Sequence, residues 1–253
     1  MRINYVIAIW TGARHLSRID KNGHYLFAHL DQLGKLAKSL SQITVGYPYY
    51  ETEPPRFRIQ LNRLPKEIDG IPLSVVPMIN SGKSYGQLSR IYGATRGQFD
   101  YYIFMEDDYV PFLDNFDTLL ADLIQRDPDC GYLCSVYGEE KNEPSGAAVS
   151  TGIIRAKALE AVWEKFGCIP HIPLGPINEQ AVFSQAFLQT GWKIKDYLQD
   201  YSSPYLSKEE TQDVIVIYGD PTNKHILGPI QMLDEQSLAF PRRFYKSGIW
   251  PFN

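Results

Sequence analysis

Tyr101-Tyr102-Ile103-Phe104-Met105-Glu106-Asp107-Asp108 is the stretch on which the fold turns. Five aromatic and aliphatic residues in a row, without polar alternation, read as a central strand covered on both faces, because a half-exposed strand would alternate. Three carboxylates at its end serve no packing purpose and point to a cation. Side chains alternate along a strand, so Glu106 and Asp108 are expected on one face and Asp107 on the other. Two convergent carboxylates at a strand's carboxyl end lie where open α/β sheets bind ligands. Oxygen donors at that spacing suit a hard divalent ion such as Mg or Mn. A solvated acidic loop is the alternative reading of the triplet taken alone.

Working outward, residues 5–10 form a first apolar strand, followed by the turn Thr11-Gly12-Ala13-Arg14, which offers backbone amides and a guanidinium to a phosphate or base. Leu26, Leu30, Leu33, Leu36, Ala37 and Leu40 recur at helical spacing and predict a helix over 25–40. A strand over 41–45 comes next. Residues 46–72 are rich in Pro, Tyr and charge and read as an irregular excursion with a short strand at 57–60. A strand over 72–79 is broken by Asn80-Ser81-Gly82-Lys83-Ser84-Tyr85-Gly86, and a helix over 85–96 leads to the acidic strand. Beyond it the pattern gives a helix over 116–125, a strand over 131–136, a polar loop through Gly146, the segment 150–155 and a helix over 157–166. Asn178-Glu179-Gln180 opens a helix to about residue 190, and a late strand spans 214–218.

Strands and helices alternate through the first half, which argues for a mostly parallel sheet with helices on its faces. The expected organisation is one α/β domain: a nucleotide-sugar-binding half over 1–110, an acceptor-binding half over 111–218, and a C-terminal tail or lid over 219–253. A chain of 253 residues is long enough for one such domain and does not require a second.

The net charge of −4 lacks the basic bias of a nucleic-acid surface, and the longest apolar runs are strand length, so no transmembrane segment is expected. Cys130, Cys134 and Cys168 are odd in number and have no C-x-x-C spacing, which favours a reducing, cytoplasmic setting. Tyrosines near Pro and Gly suit a carbohydrate surface, with amphipathic packing as the alternative.

From Asn80 to Asp108 the sequence resembles glycosyltransferases of the GT-A fold, especially the large inverting family that uses nucleotide-diphosphate sugars. Asn80-Ser81-Gly82, a helix carrying Gly93 and Ala94, and the strand ended by Glu106-Asp107-Asp108 correspond to that family's turn, helix and metal-binding acidic motif. Thr151-Gly152-Ile153-Ile154-Arg155 resembles its acceptor-side segment. Glu179 before Ala181-Val182-Phe183, with Gly191-Trp192-Lys193 after it, resembles its catalytic-base helix. The likeness extends over roughly residues 3–200. The chain departs from the family by carrying Gly46-Tyr47-Pro48 where acidic residues commonly bind the nucleobase and ribose, and Glu106 where the motif commonly begins with Asp.

The resemblance implies a metal-dependent, inverting transfer of a sugar from a UDP-, GDP- or dTDP-linked donor to a carbohydrate hydroxyl. Asp108 is then the leading Mg or Mn ligand, with Glu106 second and His225 a further candidate. Donor contacts fall to Thr11, Gly12, Arg14, Asn80, Gly82, Lys83, Arg90, Glu106 and Asp107, and Glu179 is the general base. Without the family pattern, Glu179 reads equally as a helix N-terminal acid favoured by the helix dipole. A lone histidine such as His225 is more often a surface residue. Arg242, Arg243 and Lys246 could close over a diphosphate or simply be solvated.

A sugar-phosphate nucleotidyltransferase would share the sheet and acidic ligands, but it carries a Gly-Gly-x-Gly-Thr-Arg loop after the first strand, where this chain has only Thr11-Gly12-Ala13-Arg14. A non-catalytic carbohydrate-binding descendant is the third reading. The presence of both the acidic triplet and Glu179 weighs against it.

Overall fold

The computed structural model describes residues 1–9, 24–49, 64–79, 82–107, 109–111, 114–138, 146–172 and 179–196, together with the backbone of three short strands beyond them. An eight-stranded mixed sheet runs through both halves of the chain. Its strands are β1 (Ile3–Ala8), β2 (Leu40–Tyr49), β3 (Glu67–Ile68), β4 (Ile71–Ile79), β5 (Tyr101–Glu106), β7 (Cys130–Gly138), β8 (Gly146–Arg155) and β9 (Lys193–Asp196), in the spatial order β3-β4-β2-β1-β5-β8-β7-β9. The pairs β4/β2, β2/β1, β1/β5 and β7/β9 are parallel, and β8 is antiparallel to both β5 and β7. The helices are α1 (His24–Leu36), α2 (Lys83–Thr95), α3 (Phe116–Gln125), α4 (Ala156–Phe166) and α5 (Glu179–Leu188).

The unbroken apolar run of β5 is explained by two cores. Ile103 and Met105 join Tyr5 and Ile7 of β1 in the cluster under α1 and α3, while Tyr102 and Phe104 join Val6 and Ala8 in the cluster under α2, α4 and α5. Both faces are therefore apolar and neither alternates with solvent. By the same parity, Glu106 continues the Tyr102 and Phe104 face. Ala8 pairs with Glu106 on one side and Gly46 on the other, which aligns the carboxyl ends of β1, β2 and β5.

Several elements depart from the expected bounds. Helix α1 ends at Leu36 because the amides of Lys38 and Ser39 donate to the buried carboxylate of Asp117, which draws the chain out of the helix. Strand β2 continues to Tyr49 through residues expected to be irregular. Its Pro48 lies past the last β1 pair, at Gly46, where a missing N–H on that side breaks no β1 ladder bond. Strand β8 begins at Gly146, inside the expected polar loop. Its small residues form a strand because β5 and β7 flank it, and a Cβ on Gly152 would lie 2.1 Å from the Leu133 carbonyl oxygen. Strand β9 was not expected and adds an edge beside β7. The expected strand at 57–60 lies outside the described residues.

The Arg155 guanidinium closes the end of the sheet opposite the acidic turn. Its Nε donates to the Cys130 carbonyl at 2.7 Å, and its terminal nitrogens donate to Ile124 O at 2.5 Å, Asp127 O at 3.1 Å and Tyr101 Oη at 3.2 Å. It thereby adds a second donor to the Ile124 and Asp127 carbonyls, which also accept from the amides of Asp127 at 3.4 Å and Cys130 at 3.1 Å.

Beyond residue 196 the described backbone comprises β10 (Val216–Ile217), β11 (Lys224–His225) and β12 (Ile230–Met232). Strand β12 pairs antiparallel with β6 (Tyr109–Pro111), which brings the late chain to the segment just after the acidic triplet.

Candidate functional site

Two helices begin at the carboxyl edge of the sheet on the Glu106 face, α2 with Lys83 and α5 with Glu179. Their packing is set by an aromatic cluster below. Tyr85 meets Phe183 at 4.9 Å and Phe104 at 5.6 Å between ring centroids, and Phe183 meets Tyr132 at 5.9 Å. Above this floor, Lys83 Nζ lies 2.7 Å from Glu179 Oε1. The lysine side chain is 55% exposed and that of the glutamate only 9%, so a surface ammonium reaches down to a buried carboxylate.

Gly82 makes the entry to α2 possible. It adopts φ 71° and ψ 29°, in the left-handed region that glycine tolerates best, and a Cβ there would lie 2.1 Å from the His171 ring and 2.8 Å from the His171 carbonyl oxygen. Lys83 also has positive φ, at 47°, an uncommon conformation for a residue with a side chain. Gly82, as the N-cap, has no side chain to cap the helix.

Tyr85 lies beneath both acids. Burial pushes its hydroxyl well above the usual range, and Cys134, Glu106 and Glu179 push the same way electrostatically against a hydrogen bond with Tyr132. It is therefore a neutral hydroxyl at ordinary pH.

Strand β5 ends at Glu106, and Asp107 already belongs to a turn. Strand alternation therefore does not extend across the triplet as expected. The Asp107 amide donates to the Ala8 carbonyl at 3.0 Å, and its carbonyl accepts from His29 Nδ1 at 3.3 Å, so the turn is held by β1 and α1. Nearby, the Gln87 amide accepts from Ile9 N at 3.1 Å and donates to Ile9 O at 2.7 Å, fixing where the chain leaves β1.

Of the residues expected at the site, Gly82, Lys83, Glu106, Asp107 and Glu179 fall at this edge. Arg90 lies two helical turns further along α2, exposed, lining an open groove of ≈ 430 Å³ with Trp163 and Met78. Thr11, Gly12, Arg14, Asn80 and Asp108 lie outside the described residues, and His225 is described only as backbone in β11, paired with Val216. Among the described residues no cluster of three His, Cys, Asp or Glu could hold a metal ion. The half-buried carboxylate of Glu106 at the strand end nevertheless suits a hard cation completed by substrate and water oxygens.

His171, Tyr85, Tyr132 and Gln87 were not anticipated. The first could have been suspected from its place in the proline-punctuated segment 170–176. His171 Nδ1 donates to the Ile169 carbonyl at 2.6 Å, which leaves Nε2 as the acceptor nitrogen of the neutral ring.

No protein-family model matches the chain, and no curated protein matches it by sequence. Its structure is similar to that of 4-diphosphocytidyl-2C-methyl-D-erythritol synthase from Anaerococcus prevotii, with TM-score 0.51 and 11% identity over 97% of this chain and 96% of that one. A cytidylyltransferase from Leptospira borgpetersenii is similar with TM-score 0.51 and 14% identity over 78% of this chain and 76% of that one. Mouse xyloside xylosyltransferase 1 gives TM-score 0.45 at 9% identity over 94% and 99%, a likeness too loose to inform the chemistry. The fold is thus a GT-A-like α/β fold, shared with the first two of these structures.

Proposed function

We propose that this protein is a metal-dependent, inverting glycosyltransferase that moves a sugar from a UDP-, GDP- or dTDP-linked donor to a carbohydrate hydroxyl. The observation that carries this reading is the buried Glu179 carboxylate at the start of α5, on the sheet face of Glu106 and in contact with Lys83. That arrangement provides a proton acceptor and a cationic group at one strand edge.

In this reading the donor diphosphate lies against the uncapped N-terminus of α2, where Lys83 and the backbone amides oppose its charge. Glu106, with Asp108, would hold Mg or Mn, which when bound supplies Lewis-acid stabilisation of the departing diphosphate. Glu179 accepts the proton of the acceptor hydroxyl as its oxygen attacks the anomeric carbon. The His171 ring lies against Gly82, and in this reading its Nε2 would accept a hydrogen bond from a sugar hydroxyl. Buried Cys130 and Cys134 and exposed Cys168, present as thiols, support a reducing, cytoplasmic setting. Among the described residues no helix is long and apolar enough to cross a membrane.

Nucleotidyl transfer is the second reading, favoured by the likeness to a cytidylyltransferase and to a 4-diphosphocytidyl-2C-methyl-D-erythritol synthase. The chemistries release different products. Incubation with nucleotide sugars, acceptor glycans and Mn should release nucleoside diphosphate and give a product of inverted anomeric configuration by NMR. Pyrophosphate release from nucleoside triphosphate and sugar phosphate, with no glycosyl transfer, would instead establish the second reading.

A further inference from the structure

We propose that Lys83 and Glu179 form an exchange pair: the donor's diphosphate draws the Lys83 ammonium away from Glu179, so the base is released only after the donor has bound. This inference rests on the reading of Glu179 as the general base and adds its coupling to the diphosphate through Lys83.

The argument begins with the unequal exposure of the pair. The Lys83 side chain is 55% exposed and that of Glu179 is 9% exposed, so an incoming anion can reach the ammonium without first reaching the carboxylate. Both groups also lie at helix N-termini, as the first residues of α2 and α5. Gly82 at the N-cap of α2 supplies no side-chain cap, so an anion that takes Lys83 also meets the positive end of that helix. Glu179 is thus an internal anion seated on the cation a diphosphate would use.

Exchange changes the chemistry of the carboxylate. A neighbouring positive charge disfavours proton uptake by a carboxylate, and a neighbouring negative charge favours it. When Lys83 turns to the diphosphate, buried Glu179 loses its counter-charge and its Oε1 is left to the acceptor hydroxyl. An acceptor hydroxyl that arrives first meets a Glu179 still paired with Lys83.

The test is a double-mutant cycle on binding of UDP, GDP and dTDP with Mn, measured by calorimetry on wild type, Glu179→Gln, Lys83→Met and the double variant. Exchange predicts that Glu179→Gln binds the preferred nucleoside diphosphate roughly 5- to 50-fold more tightly than wild type, the range of an ordinary coupling between sites. Lys83→Met should weaken binding, and in that background Glu179→Gln should make no further difference. Simple removal of a repelling carboxylate would instead tighten binding equally with and without Lys83, which would overturn the exchange. Unchanged or weaker binding by Glu179→Gln would also overturn it. Should Lys83→Met not fold, Lys83→Ala replaces it, which likewise removes the ammonium. If the variants bind nucleoside diphosphate and Glu179→Gln loses turnover without the predicted coupling, the exchange alone falls. If no variant binds any of the three, the glycosyltransferase reading falls with it.

Discussion

The Tyr5 hydroxyl lies 2.6 Å from Nε2 of His29, while the opposite ring nitrogen of His29 reaches 3.3 Å to the Asp107 carbonyl. A carbonyl only accepts, so Nδ1 carries the proton and Tyr5 donates to Nε2. Both side chains are fully buried, with their rings edge to face at 5.4 Å. A strand tyrosine and a helix imidazole thus brace the turn that bears the acidic residues.

This brace predicts a loss of stability in mild acid. Burial, opposed by the hydrogen bond to Asp107, lowers His29 from 6.5 to about 3. Below pH 6.5 the unfolded chain takes up this proton and the folded chain does not. The contribution is therefore complete above that value and lost as pH falls towards 3, at about 1.4 kcal/mol per pH unit. Urea unfolding at pH 7 and pH 5 should show this slope, and His29→Gln, which cannot titrate, should flatten it. An equal slope in the variant would count against His29 as its source.

Removing the proposed base should separate binding from rate. Glu179→Gln is expected to bind donor at least as tightly as wild type while turnover falls by roughly 10²- to 10⁴-fold, the range for losing a general base. Near-normal turnover in the variant, or retained anomeric configuration in the wild-type product, would refute the assignment.

Metal dependence is expected to pass through Asp108. Asp108→Asn should keep the thermal unfolding midpoint and lose ~10²-fold or more of the Mn-supported rate, the scale of losing one electrostatic contact to the developing charge. Full activity of that variant in EDTA would remove the metal from the reading.

Arg155 should behave as a structural residue. Arg155→Met leaves the carbonyls of Cys130, Ile124 and Asp127 without this donor, and a loss of about 2–4 kcal/mol is expected from charged hydrogen bonds of this kind. Arg155→Lys should recover only part of it, because one ammonium cannot reproduce the planar guanidinium. Donor affinity, measured at a temperature where the variant is folded, should be unchanged. A selective change in acceptor affinity would instead return Arg155 to the acceptor segment suggested by the resemblance.

The pattern of the chain fixed the parts of the fold that depend on local chemistry. Tyr101–Met105 could only be a strand covered on both faces, and Phe116–Gln125, with its helical spacing, is helix over the expected residues. Strand β8 and the second half of β2 were not legible. Their glycines, alanines and proline have little strand preference of their own and are extended because neighbouring strands supply the hydrogen bonds. The same distinction runs through the site. Composition and resemblance identified Lys83, Glu106 and Glu179 as candidates, since charged residues at the ends of apolar elements stand out in the sequence. That Lys83 reaches Glu179, that His171 lies against Gly82, and that Gln87 grips Ile9 depend on helices packed onto one face of the sheet by Tyr85, Phe104 and Phe183. Local patterns specify elements, but contacts between helix ends distant in sequence are set by strand parity and by the shapes of the side chains between them.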